Sequence, residues 1–243
     1  MTEKQTRWRP WLLTAAAALI LSLLLAGSAW RISRMRCFVL VGAATCRVET
    51  PRAMVALTFD DGPTALGVGY ILPELERHGA HATFFLIGRE ARGRPELVRA
   101  ILAAGHEVGN HSYSHQPMVG RVMTFYENQI QLTQDALRRA GAEPKSFRPP
   151  YGKKLIGLPR AVERAGLRLV MWDVEDPKTS DPTEFAREIV SQARPGSIIL
   201  IHAMYPANET ARRALPAVLE GLGRKGLQVV SVEQLVETGK TQP

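Results

Sequence analysis

From residue 52 to residue 237, short apolar runs alternate with longer stretches of helical periodicity. The short runs are VALTF (55–59), ATFFLI (82–87), HEVGN (106–110), SFR (146–148), LRLVMW (167–172), SIILI (197–201) and QVVSV (228–232). Each is predicted as a strand. Helices are predicted over 95–105, 125–140, 182–193 and 215–226; in the second, Tyr126, Ile130 and Leu137 share one face. Pro95, Pro182 and Pro216 fall near the helix starts, where a missing N–H costs little. Strands that alternate with helices pair in parallel, so the expected class is α/β. Seven strands suit a small or incomplete barrel, with an open sheet as the alternative. No internal repeat, low-complexity tract or Ser/Gly linker interrupts 52–237, which reads as one domain.

A different pattern precedes it. Residues 11–30, WLLTAAAALILSLLLAGSAW, carry no charge and have Trp11 and Trp30 at their ends. Twenty helical residues span ~30 Å, the thickness of a bilayer core, and indole rings favour its interfaces. A transmembrane anchor is expected; the small residues at 26–29 leave a cleaved signal peptide as the alternative. The chain has 243 residues and a formal net charge of +8. Much of that excess flanks the apolar segment. Within the basic tail 1–10 and the residues up to 36, Lys4, Arg7, Arg9, Arg31, Arg34 and Arg36 oppose Glu3 alone. The charge therefore argues for a membrane neighbour and against nucleic acid. Cys37 and Cys46 lie in the juxtamembrane segment 31–51 without a CxxC spacing, so a cysteine metal site is not expected. In an exported chain two such cysteines are expected to form a disulfide.

Polar residues cluster where the predicted strands end. DDGP follows VALTF, NHSYSH follows HEVG, RPPYG follows SF, DVED follows LVMW, and His202 follows SIILI. In α/β barrels the active site forms at that end of the strands. His111 and His115, four residues apart, can face one way on a helix or tight turn and grip one ion. With a carboxylate from the Asp60–Asp61 pair they leave coordination positions open, as a hydrolytic metal requires. One aspartate would bind the metal while the other removes a proton from water. Zinc is the expected ion, and iron, cobalt or nickel fit the same ligands. Adjacent residues of an extended strand point to opposite faces, and the Gly62–Pro63 turn can bend the chain so that both carboxylates reach one site.

TFDDGP, HSYSH, FRPPYG, LVMWDVED and IILIH, in this order, resemble the polysaccharide deacetylases with the NodB homology domain, carbohydrate esterase family 4. The resemblance covers about residues 48–237. It implies a distorted (β/α) barrel of seven or eight strands and metal-dependent removal of N-acetyl groups from amino sugars. Carried over, it implies Asp60 as base, Asp61, His111 and His115 as metal ligands, and Arg148 as the group that orients Asp60. It further implies an oxyanion contact from the backbone N–H of Tyr151, a general acid in His202, and Leu200 against the acetyl methyl. Either Glu175 or Asp176 would support His202. The chain departs from the family wording in lacking a Trp later in the fourth motif and in placing Ala203 after His202. The expected protein is a single-pass enzyme of the cytoplasmic membrane, its catalytic domain outside, acting on an envelope glycan such as peptidoglycan. Two other readings stand beside it: a deformylase or amidase on a lipid-linked sugar or small cyclic amide, and a non-catalytic glycan-binding protein.

Overall fold

The computed structural model describes residues 10–33 and 35–242. The basic tail before Pro10, with Lys4, Arg7 and Arg9, lies outside the described residues, as does Arg34. The chain divides into two compact units at Met35/Arg36. The first contains helix α1 (Pro10–Ser33), 24 residues long, or ~36 Å at 1.5 Å per residue. It is long and apolar enough to cross a membrane, and its Trp11–Ser28 window buries nothing within the protein.

The second unit is built on a parallel sheet. Its strands are β2 (Met54–Asp60), β3 (Thr83–Leu86), β4 (Glu107–Asn110), β5 (Ser146–Phe147), β6 (Arg168–Leu169), β7 (Ile198–His202) and β8 (Gln228–Val230). The order is β6-β5-β4-β3-β2-β7. Ala56 pairs with Ile198 and with Val230, so β7 and β8 flank opposite edges of β2. Beyond β6, single parallel bridges join Thr45 to Val170 and Val174 to Ile199. These bridges curl the sheet into a half-barrel without a continuous closing ladder. A separate antiparallel pair, β1 (Arg47–Glu49) with β9 (Lys240–Gln242), ties the two ends of this unit together.

Helices α2 (Ala65–Arg77), α3 (Gly88–Gly93), α4 (Pro95–Ala103), α5 (Met123–Arg139), α6 (Gly157–Arg164), α7 (Pro182–Gln192), α8 (Glu209–Arg224) and α9 (Val232–Val236) complete the unit. Three expectations need correction. Pro216 lies inside α8, which starts six residues earlier than the periodicity indicated. The run 167–172 forms only the two-residue β6, because Met171 donates instead to the Thr45 carbonyl. The run 228–232 stops at Val230, because the Ser231 hydroxyl accepts from Gln234 N–H and starts α9.

The core is layered by strand alternation. Val55, Leu57, Phe59, Ile199 and Ile201 pack into one cluster with α2, α7 and α8, whereas Ala56, Ile198, Leu200, Phe85 and Phe147 fill the other face. Thr58, Asp60 and His202 share the parity of this second, inner face. The β2–β7 register sets Asp60 directly beside His202. The alternation that buries the sheet thus delivers two titratable groups to one mouth.

Candidate active site

Asp60 ends β2 and is buried. Arg148, just beyond β5, is fully buried and donates through Nη1 to Asp60 Oδ1 at 2.7 Å and to Thr58 Oγ1 at 2.6 Å. Its Nη2 and Nε donate to the carbonyls of Met171 (3.0 Å) and Val170 (3.4 Å). The guanidinium carbon sits 4.1 Å from the centroid of the Phe85 ring. Every face of this cation is engaged, which is what a buried charge requires. Burial alone would raise the Asp60 pKa, but Arg148, with His111 and His202, reverses the shift and holds the carboxyl below its usual range.

Asp61 would point away from Asp60 if the strand continued. It adopts φ 77° instead, a left-handed conformation that Asp tolerates better than most residues. Its side chain turns to the same mouth, where His115 Nε2 lies 3.2 Å and His111 Nε2 3.8 Å from its Oδ1. The bend thus occurs at Asp61 itself, one residue before Gly62. The HSYSH segment is a loop, not a helix. Ser112 and His115 are also left-handed, at φ 62° and 56°. The loop is held from within and from α5. Asn110 Oδ1 accepts from Ser112 N–H, and Ser112 Oγ from His115 N–H. Gln129 Oε1 accepts the N–H groups of Tyr113 and Ser114. Asn110, Ser112 and Gln129 were not identified from the sequence; Asn110 and Ser112 lie inside the motif, but nothing local marks Gln129.

The donor atoms of Asp61, His111 and His115 lie within 4.8 Å of one another and form a group that can hold a metal ion. Two observations fit that use. Asp61 Oδ1 is buried with no hydrogen-bond partner, a costly arrangement that a cation would relieve. His111 Nδ1 bonds the Arg148 carbonyl at 2.7 Å, which fixes the ring and aims Nε2 into the site. Burial drives His111 down to about 4, so it is the neutral donor a metal needs. Burial and the neighbouring Asp60 charge push Asp61 up to about 6.

Across the mouth, His202 Nδ1 meets Asp176 Oδ2 at 2.8 Å, and the same carboxylate accepts the His202 backbone N–H. Burial opposes protonation of His202, but Asp176 and Asp60 outweigh it and lift the pKa to about 9. Glu175, on the same cleft, is engaged by other partners: it accepts the Trp172 indole N–H at 2.7 Å and pairs with Arg36 at 2.5 Å. Tyr151 follows Pro150 at φ 58°, its ring largely exposed and 4.9 Å from that of His115. These groups surround a cleft of about 700 Å³ that also takes in Leu200, Pro149, Trp172 and Lys178. Of the ten predicted site residues, Arg148 alone does not line it, being buried beneath.

A family model described as "Polysaccharide deacetylase" matches residues 47–170. The chain belongs to the polysaccharide deacetylase family. It is 35% identical over 193 residues to a peptidoglycan-N-acetylglucosamine deacetylase of Bacillus cereus, covering 78% of this chain and 70% of that one. The crystal structure of a peptidoglycan N-acetylglucosamine deacetylase bound to 4-naphthalen-1-yl-N-oxidanyl-benzamide superposes with TM-score 0.76 at 32% identity, over 82% of this chain and 95% of that one. A pseudoenzyme of carbohydrate esterase family 4 from Bacillus anthracis superposes with TM-score 0.74 at 27% identity, over 83% and 72% of the two chains. Family membership makes this chain a polysaccharide N-deacetylase by class, a hydrolase of non-peptide carbon–nitrogen bonds. Because the scaffold also carries a pseudoenzyme, turnover depends on the residues of the mouth.

Proposed function

We propose that the protein is a metal-dependent N-deacetylase of an envelope amino-sugar glycan such as peptidoglycan, tethered to the cytoplasmic membrane by α1 with the catalytic unit outside. The observation that carries this reading is the convergence of Asp61, His111 and His115 beside Asp60 and His202 at one end of the sheet. The Cys37–Cys46 disulfide agrees with an oxidising compartment.

Zinc is the ion best matched to two imidazoles and one carboxylate with open positions. When bound, it would acidify the attacking water and polarise the acetamide carbonyl. Asp60, kept ionised by Arg148, takes a proton from that water as it attacks. The backbone N–H of Tyr151 donates to the oxygen on which charge develops. Leu200 offers an apolar surface to the acetyl methyl. His202 carries a proton at neutral pH and is held by Asp176, which leaves Nε2 to protonate the departing amine. The products are acetate and a free amino sugar. Asp176 rather than Glu175 fills the supporting position in this mechanism.

The test incubates full-length protein in detergent, with and without added zinc, with N-acetylated glycans and lipid-linked sugars, and measures acetate and formate. Zinc-dependent acetate release is expected. Formate alone would favour the deformylase reading. Glycan retention without either product would sink the enzymatic one.

A further inference from the structure

The segment 36–46 precedes the region that the family model matches, yet it reaches the cleft wall. Arg36 Nη2 meets Glu175 Oε1 at 2.5 Å, and its Nη1 donates to the Asp173 carbonyl at 3.3 Å. The other Glu175 oxygen accepts the Trp172 indole N–H. Trp172 is buried, lines the cleft, and lies with its ring 5.4 Å from the Arg148 guanidinium carbon. The indole is therefore held at its N–H edge by Glu175 while the Arg148 guanidinium lies over its ring.

Arg36 is itself restrained. The next residue, Cys37, is bonded to Cys46, which is buried. Thr45, beside Cys46, is hydrogen-bonded in both directions to the chain leading into Trp172: its N–H donates to Leu169 and its carbonyl accepts from Met171. A closed circuit results, running from Met171 through Thr45, Cys46, Cys37, Arg36 and Glu175 back to Trp172. An ordinary half-exposed ion pair is weak, largely because two long side chains must be ordered to make it. Here the disulfide tethers the backbone on one side, and the carboxylate on the other is already engaged by an indole.

We infer that Arg36 is a positioning residue for the Trp172 wall, clamped by the Cys37–Cys46 disulfide, and that this clamp governs how firmly the glycan seats. The inference rests on the proposed deacetylase reading for its substrate, though not for its geometry. Arg36 touches none of the reacting groups, so its loss weakens ground-state and transition-state binding alike.

The experiment uses oxidised full-length protein in detergent, with chitooligosaccharide and a glycan strand from peptidoglycan as probes. Arg36→Ala is expected to raise KM about two- to fivefold, the range open to a pair of this kind, with kcat unchanged. Arg36→Lys should recover part of that loss. Cys37→Ser with Cys46→Ser should reproduce the KM change, and adding Arg36→Ala to it should change little further, because the residues act as one unit. A second readout needs no turnover: 19F NMR of fluorotryptophan-labelled protein, with the Trp172 line assigned by its loss in Trp172→Phe. That line should shift in Arg36→Ala and in the double cysteine variant. If wild-type protein releases no acetate, the deacetylase reading fails while the 19F arm still judges the clamp. An unmoved Trp172 line, or a fall in kcat at constant KM, overturns it.

Discussion

Two pairs of histidines sit at the two ends of the barrel strands, and among the described residues only one stands with a carboxylate in a group that can hold a metal ion. His111 and His115, past the end of β4, have ring centroids 5.1 Å apart; His81 and His106, before β3 and β4, are 5.9 Å apart. Burial drives both His111 and His106 down to about 4. Their surroundings differ. His111 has one nitrogen on the Arg148 carbonyl and the other facing Asp61. Both ring nitrogens of His106 lack a hydrogen-bond partner, and the carboxylate its strand supplies, Glu107, is spent on Thr83 and on the Glu233 N–H. A buried, hard-to-protonate histidine beside a second imidazole is therefore not a metal site by itself. A free carboxylate and a fixed imidazole make the difference.

The largest expected effect removes that difference. Asp61→Ala leaves the upper pair with no carboxylate ligand, so metal content by mass spectrometry should fall to background and acetate release with it. Stoichiometric metal in this variant would break the comparison. Next comes Asp60→Asn, which should keep the metal and the fold but cost about 10²–10⁴ in rate, the usual reach of a general base. If this variant lost the metal while Asp61→Ala kept it, the two roles would be exchanged. Arg148→Met leaves Asp60 buried without its counterion. Denaturant unfolding should report a loss of about 3–5 kcal/mol.

The smallest effect concerns the lower pair and depends on pH. His106 is depressed from 6.5 to about 4 when folded. Above pH 6.5 neither state is protonated there, and the group contributes nothing to pH dependence. As pH falls from 6.5 toward 4, the unfolded chain takes up a proton that the folded chain refuses, and stability falls, by up to ~2 kcal/mol at pH 5. His106→Asn cannot titrate, so its unfolding midpoint should drop less than that of the wild type between pH 7 and pH 5. Equal drops would remove His106 from the account.

The sheet was legible because its strands are apolar and its polar residues fall at their ends. Runs such as VALTF and SIILI mark β2 and β7 within a residue. Local pattern failed where long-range contacts decide. β1 and β9 are three residues each and pair across almost the whole length of the unit. Helix α2 contains Pro73 and was passed over, although Thr64 caps it by accepting from Gly67 N–H. The choice between Glu175 and Asp176 was open because adjacent acidic residues look alike until partners 26 and 139 residues away, His202 and Arg36, claim one each. Gln129 was invisible for the same reason: its work is done on a loop fifteen residues upstream.

The left-handed backbone at Asp61 has an evolutionary corollary. Asn and Gly are the other residues that accept φ 77° without difficulty, and each is one base change from an aspartate codon. A lineage that lost the carboxylate by either route would retain the bend, the loop and the core. The residue most exposed to functional loss is thus among those whose loss the fold would notice least. On the proposed reading, selection for catalysis rather than for folding is what keeps the carboxylate in place.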